Sequence, residues 1–245
     1  MSVLLTAIRD AFAGVAFPAT CVLCASPIES LADGVTCASC WQPKLPGVPE
    51  RRCDYCGRPV RYQLPAGQQR RCAQCLEAAF ARLRFAGAYD GALRANLLFL
   101  KHHPHVCRRV RDLILAAFDE EPVLHEADVV MPIPLHPRRL KERGFNQAAI
   151  IARVISRHAK IPLKTRRLIR TKHTERHRAG MDARDRAQSV AAAFAVRQPE
   201  QIKDQVVLVV DDVFTTGATM NECSRTLMMA GAKTVYGFTV ARVLS

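Results

Sequence analysis

Acidic residues are scarce in this chain, and so are large aromatic ones. Its 245 residues hold 22 Asp and Glu against 36 Lys and Arg, a formal charge of +14, and Trp occurs once. A basic excess of this size favours anionic partners: phosphorylated metabolites, nucleic acid or an acidic membrane surface. The plainer alternative is a solvated basic surface. No apolar run is long enough to span a bilayer, so the sequence offers no transmembrane candidate. The opening stretch MSVLLTAIRDAFAGVAFPATC lacks a basic n-region, and Arg9 and Asp10 interrupt its apolar run. It reads as a short amphipathic helix packed on the protein rather than a secretory signal, and Thr20 suits a lipoprotein cleavage site poorly. The expected location is the cytoplasm, with no membrane association. A Walker loop is missing too, because no GxxxxGK[ST] occurs.

Cysteine, by contrast, is plentiful and ordered. Eight of the ten cysteines form four CxxC pairs, Cys21/Cys24, Cys37/Cys40, Cys53/Cys56 and Cys72/Cys75, separated by 12, 12 and 15 residues. Two thiolates two residues apart can bind one metal from a tight turn, and two such turns complete a tetrahedral zinc site. A disulfide framework does not suit the expected compartment, and a thioredoxin-like site would need one pair beside a βαβ pattern. Two structural Zn2+ ions are therefore expected. Sequential and interleaved pairing both remain open. Each site carries a local charge of −2, which lowers the total to roughly +10. The module has few large apolar residues, so metal would supply much of its folding energy. Trp41 and Tyr55 are expected to pack beside the metal turns, and Cys107 and Cys223 to act as small apolar residues. Residues 1–80 are read as the zinc module and residues 81–245 as a second domain.

The second domain alternates helix and strand patterns. Phe85 to Tyr89 suggests a short strand, and helical spacing follows around Leu93, Leu97, Leu98 and Leu100 and from Val110 to Phe118. ADVVMPIPLH reads as a buried parallel strand (128–133) ending in a Pro-rich turn. Asn146 to His158 is helical, DQVVLVVDD is a second buried strand, Met220 to Gly231 is a helix closed by Gly231, and Lys233 to Val240 is a third strand. This order implies an α/β fold, a mostly parallel sheet with flanking helices.

In such sheets ligands bind at the carboxyl ends of strands. One strand ends in VVLVVDDVFTTGATM, where two acids precede a turn rich in threonine and glycine. Gly217 lets the backbone approach a ligand, and the helix start after it offers free N–H groups to a phosphate. Carboxylates repel phosphate, so Asp211 and Asp212 need another target. Vicinal ribose hydroxyls are one. A pentose 5-phosphate with free 2- and 3-hydroxyls satisfies both features.

These residues resemble the phosphoribosyl-pyrophosphate (PRPP) motif of type I phosphoribosyltransferases: an apolar strand, two acids, two apolar residues, then TTG and a late Thr. PIPLHPRRLKERGFNQA resembles the PxPLxxxRxxxRGFNQ signature of the ComF family, which includes ComFC and GntX-type proteins. N-terminal CxxC pairs before a transferase-like domain match that family's layout. The resemblance implies a type I phosphoribosyltransferase-like fold with a small N-terminal zinc-ribbon module. It implies that Asp211 and Asp212 hold ribose hydroxyls and that Thr215, Thr216, Gly217, Ala218 and Thr219 hold the 5-phosphate. Lys101, Arg139 and Arg143 become candidate pyrophosphate contacts, and Mg2+ would accompany PRPP. An active enzyme would pass through an oxocarbenium-like transition state. Thr215 stands where enzymes of 6-oxopurines carry an acid, which argues against such a substrate.

From Arg138 to Arg186 there are sixteen Lys or Arg against four Asp or Glu. The second half of this segment lies where related transferases carry a loop over the active site. Few aromatics interleave it, so non-specific single-stranded DNA binding is a better match than base readout. Here the chain also departs from the family pattern. Ser189 replaces an expected Asn, and Arg178 or His177 an expected Gln. Three functions compete: a PRPP-binding transferase-like protein linked to DNA uptake or nucleotide use, a non-catalytic single-stranded DNA factor, and a PRPP-sensing regulator. The zinc module could recruit protein partners in any of them.

Overall fold

The computed structural model describes residues 19–41, 52–60, 70–172 and 192–244. The expected N-terminal helix, and positions 177, 178 and 189, lie outside the described residues.

Strand β1 (Arg82–Ala88) leads into helices α1 (Gly91–Leu100) and α2 (Arg108–Asp119). Helix α2 buries Val110, Ile114 and Phe118 at intervals of four, so its apolar stripe turns inward while Arg111 and Asp112 between them stay out. Strand β2 (Val129–Pro132) follows, shorter at each end than the reading from Asp128 to Ile133. Helix α3 (Pro137–Arg143) follows the Pro-rich turn, where no helix was expected; Pro137 starts it and Gly144, at φ 79°, closes it. Helix α4 (Gln147–Ala159) begins at Asn146, whose Oδ1 accepts from the Ala148 N–H at 3.0 Å. A separate two-stranded antiparallel sheet pairs β3 (Leu168–Arg170) with β4 (Phe194–Val196). Strand β5 (Val206–Phe214), helix α5 (Ala218–Met229) and strand β6 (Thr234–Arg242) complete the domain.

The main sheet has the order β1-β6-β5-β2, and every pairing is parallel. Its central strands are buried on both faces, as their β-branched runs require. Val207 and Val209 face Cys223 and Leu227 of α5, while Leu208 and Val210 face Ile114, Ile151 and Ile155 of α2 and α4. Each large side chain buried this way contributes about 1.5–3 kcal/mol relative to exposure. The chain leaves β2 toward one face and leaves its neighbour β5 toward the other. A crevice opens between two such connections.

The cysteine turns pack against this domain on both sides. The first set lies by α1 and α2. Asn96 is buried; its Oδ1 accepts from Val35 N at 3.0 Å and its Nδ2 donates to Thr36 Oγ1 at 2.9 Å. Asp33, also buried, pairs with Arg108 at 2.7 Å and Arg109 at 3.2 Å. The second set joins the core on the α5 face beside Phe80, Leu83 and Phe214. There Leu83 N donates to Tyr55 O at 2.6 Å, and Asn221 of α5 accepts from Ala79 N at 2.6 Å. Trp41 packs against the α1–α2 side, and Tyr55 lies under the Arg71 guanidinium at 4.2 Å. Both therefore serve packing. Cys107 and Cys223 are buried as expected. Among the described residues, no helix is long and apolar enough to cross a membrane.

Candidate functional site

The crevice beyond β2 and β5 is a polar cleft of about 760 Å³. Asp211, Asp212, Thr215 and Thr219 form one wall, and Thr216, Gly217 and Ala218 make the turn between those threonines. Lys101, Arg139 and Arg143 line the cleft from elsewhere. Seven candidates separated by up to 118 positions thus meet around one space.

The turn is fixed by sterics. Gly217 sits at φ 82°, and a Cβ there would lie 2.5 Å from Phe214 Cζ. Only glycine combines that angle with that contact. Gly217 also caps α5 without a side-chain acceptor, so no side chain competes for the first N–H groups of the helix. On the strand, Asp212 N donates to Asp211 Oδ1 at 2.9 Å and Val213 N to Asp212 Oδ1 at 2.8 Å. Burial, and after it the Asp212 charge, push the Asp211 carboxyl well above the usual carboxylate range, with Arg170 acting in the opposite sense. Burial likewise lowers the Arg170 pKa and raises that of the Cys223 thiol beneath it.

Across the cleft, Asn146 Nδ2 donates to Ile133 O at 2.9 Å, which ties the start of α4 to the end of β2. Asn146 is therefore a cap and a brace. Gln147 is buried; its Oε1 accepts from Arg143 Nη1 at 2.9 Å, and its Nε2 has no acceptor among the described residues. A buried amide donor on a cleft wall suits an anionic or hydroxyl-bearing ligand.

The metal sites are legible in sulfur positions. Cys21, Cys24, Cys37 and Cys40 bring their sulfurs within 4.8 Å of one another, and so do Cys53, Cys56, Cys72 and Cys75. Pairing is thus sequential. A tetrahedron with Zn–S bonds of about 2.3 Å has edges of about 3.8 Å. The contacts Cys24–Cys37 at 3.5 Å, Cys56–Cys72 at 3.6 Å and Cys21–Cys40 at 3.7 Å fit that size. The all-sulfur donor set, with no open position, is that of structural zinc.

Comparisons with known proteins agree with this anatomy. Residues 12–76 match a double zinc ribbon domain, and residues 100–244 match a phosphoribosyl transferase domain. Competence protein F of Haemophilus influenzae is 28% identical over 230 residues, covering 91% of this chain and 96% of that protein. DNA utilization protein YhgH of Escherichia coli O157:H7 is 29% identical over 237 residues, covering 93% and 98%. Competence protein ComFC of Bacillus subtilis is 31% identical over 118 residues, covering 46% and 44%.

The chain belongs to the ComF family of phosphoribosyltransferase-like proteins.

In this ComF-family chain, sequence reasoning had singled out the acids, the turn, Lys101, Arg139, Arg143 and the eight cysteines. It passed over Arg170, His102 and Glu142, which also line the cleft. Arg170 stands in a run of similar basic residues, and only the β3–β4 pairing carries it to Asp211. No local signal marks it. Glu142 lies within the signature beside Arg143, and His102 follows Lys101; proximity to those candidates was the available clue.

Proposed function

We propose that the cleft binds PRPP or a closely similar ribose 5-phosphate ester, and that the chain is a PRPP-binding phosphoribosyltransferase-like protein. The observation that carries this reading is the meeting of the acid pair, the glycine turn and the basic side chains around one space. In it, Asp211 and Asp212 take the ribose hydroxyls. The Thr215–Thr219 backbone and hydroxyls take the 5-phosphate at the start of α5. Lys101, Arg139 and Arg143 face the pyrophosphate, with Arg170 on the same wall. The raised Asp211 pKa supports the assignment, since a carboxyl that burial pushes toward its neutral form repels a nearby phosphate less than a full charge does. Mg2+ would arrive with the pyrophosphate. Asp212 and Glu142 offer carboxylate oxygens in the same cleft, the donor type this ion takes. In a transfer reaction these side chains would hold the donor, order the leaving pyrophosphate and spread its charge. Calorimetric titration with PRPP and Mg2+ tests the reading. Binding is expected in the parent protein and absent in the double variant Asp211→Asn/Asp212→Asn; equal affinity in both would overturn it.

A second reading concerns nucleic acid. Relatives of this chain carry names linked to competence and DNA utilization. Outside the cleft, Lys164, Arg166, Arg167 and Arg197 line a separate groove of about 710 Å³. We infer a role in DNA uptake or use in which this groove contacts a phosphodiester backbone. Single-stranded DNA affinity should then fall steeply with salt, and no binding at low salt removes the reading.

A further inference from the structure

Arg242, at the end of β6, is fully buried, and among the described residues no carboxylate pairs with it. Its Nη1 donates to Cys56 O at 3.1 Å and its Nη2 to Gln74 Oε1 at 2.6 Å. Both acceptors belong to the turns of the second four-cysteine site. The same guanidinium lies 4.5 Å from the centre of the Phe214 ring and 5.7 Å from that of Phe85. A buried cation without a counter-charge is costly. A four-thiolate zinc centre with a net charge of −2 beside it supplies one. On its other side, Phe214 is the residue against which Gly217 closes, since a Cβ at 217 would meet that ring at 2.5 Å. A second tether runs in parallel. Asn221, in the first turn of α5, accepts from Ala79 N at 2.6 Å and donates to Glu77 O at 3.4 Å, just beyond Cys75.

We propose that Arg242 is a positioning residue shared by the second zinc site and the Thr215–Thr219 turn, so that metal occupancy of that site sets the shape of the turn. The guanidinium holds the two CxxC turns through Cys56 O and Gln74 and holds the floor of the anion turn through Phe214. Loss of the ion frees the first two contacts, and the ring then loses its fixed partner. The consequence for ligand rests on the PRPP reading of the cleft; the link between metal and turn does not.

The test uses the full-length, zinc-loaded protein with Arg242→Met, Arg242→Lys and Gln74→Ala. Three quantities are read: transfer of zinc to a chromogenic chelator, amide hydrogen exchange over residues 214–219, and affinity for ribose 5-phosphate. In Arg242→Met one of the two zinc ions should leave about tenfold faster, and exchange in the turn should rise by a similar factor, the scale of one hydrogen bond to a charged group. Arg242→Lys keeps the charge but cannot span both acceptors, so it should fall between. Gln74 is exposed, so Gln74→Ala keeps the fold and should move both readouts the same way by a smaller factor. Ribose 5-phosphate affinity should fall in the same order. Unchanged zinc release and exchange in Gln74→Ala and Arg242→Lys overturns the proposal, as does turn exchange that ignores zinc removal from the parent protein. Failure of ribose 5-phosphate to bind the parent would instead count against the reading of the cleft, with the metal and exchange arms still deciding the role of Arg242.

Discussion

Gly217→Ala is the sharpest test of how the Thr215–Thr219 turn is built. The substitution adds one methyl group at φ 82°, where an L residue costs about 1–2 kcal/mol. It also places that methyl 2.5 Å from Phe214 Cζ, too close for any real contact. Phe214 cannot swing away freely. It is 4% exposed, meets Phe80 edge-on with ring centres 6.4 Å apart, and lies under Arg242. Overpacking of such a site costs about 1–3 kcal/mol. The sum, about 2–5 kcal/mol, should lower Tm by about 4–20 °C for a chain of this size. A double variant separates the two causes. Phe214→Leu in the Gly217→Ala background should return the overpacking part and leave the dihedral part, giving a coupling energy of about 1 kcal/mol or more. Thermal unfolding of the parent, the two single variants and the double variant measures it. A Tm within 1–2 °C of the parent for Gly217→Ala, under about 1 kcal/mol for a chain this long, or strict additivity in the cycle, would refute the steric account of the turn.

Two further outcomes follow from the geometry. Asp211 has a folded pKa above its unfolded value, so between those two values the unfolded state binds fewer protons and stability falls as pH rises. Asp211→Asn should therefore raise Tm at neutral pH, flatten that slope and still abolish PRPP binding; melting curves across pH 4–9 check the sign. Asp33 is buried against two arginines, and Asp33→Asn should cost about 1–3 kcal/mol because it strips a charge partner from Arg108 and Arg109. Zinc release from the first site should quicken while ligand affinity at the cleft stays at the parent value, as chelator kinetics and calorimetry would show.

What the sequence disclosed follows the range of the interactions involved. Strand β5 and its turn were legible because a β-branched run ending in two acids and TTG states its own local geometry. The four cysteine pairs were legible for the same reason, although their sequential pairing needed sulfur positions. Helix α3 was missed because seven residues that start at a Pro, next to a Pro-rich turn, are too few to show a helical face. The β3–β4 sheet was missed because its strands have three residues each, too few for a periodicity, and pair across 24 or more positions. With it went Arg170. Arg242 was invisible on different grounds: its acceptor at Cys56 is 186 positions away, and nothing within β6 hints that its last residue is buried.

The bond from Leu83 to Tyr55 has one more consequence. In the order β1-β6-β5-β2, β1 is an outermost strand, and such a strand exposes unpaired backbone groups that can recruit a second chain. The second ribbon occupies that position. Tyr55 O takes the Leu83 N–H, and Arg82 and Arg84 reach back to Asp54 O. At the opposite border, Pro162 and Lys164 cover β2 through Val130. One border is thus covered by ordinary chain and the other by a module whose folding is expected to draw on metal. Zinc starvation should then do more than loosen a ribbon: it uncovers β1 as a sticky seam, and the metal-depleted protein should self-associate through it.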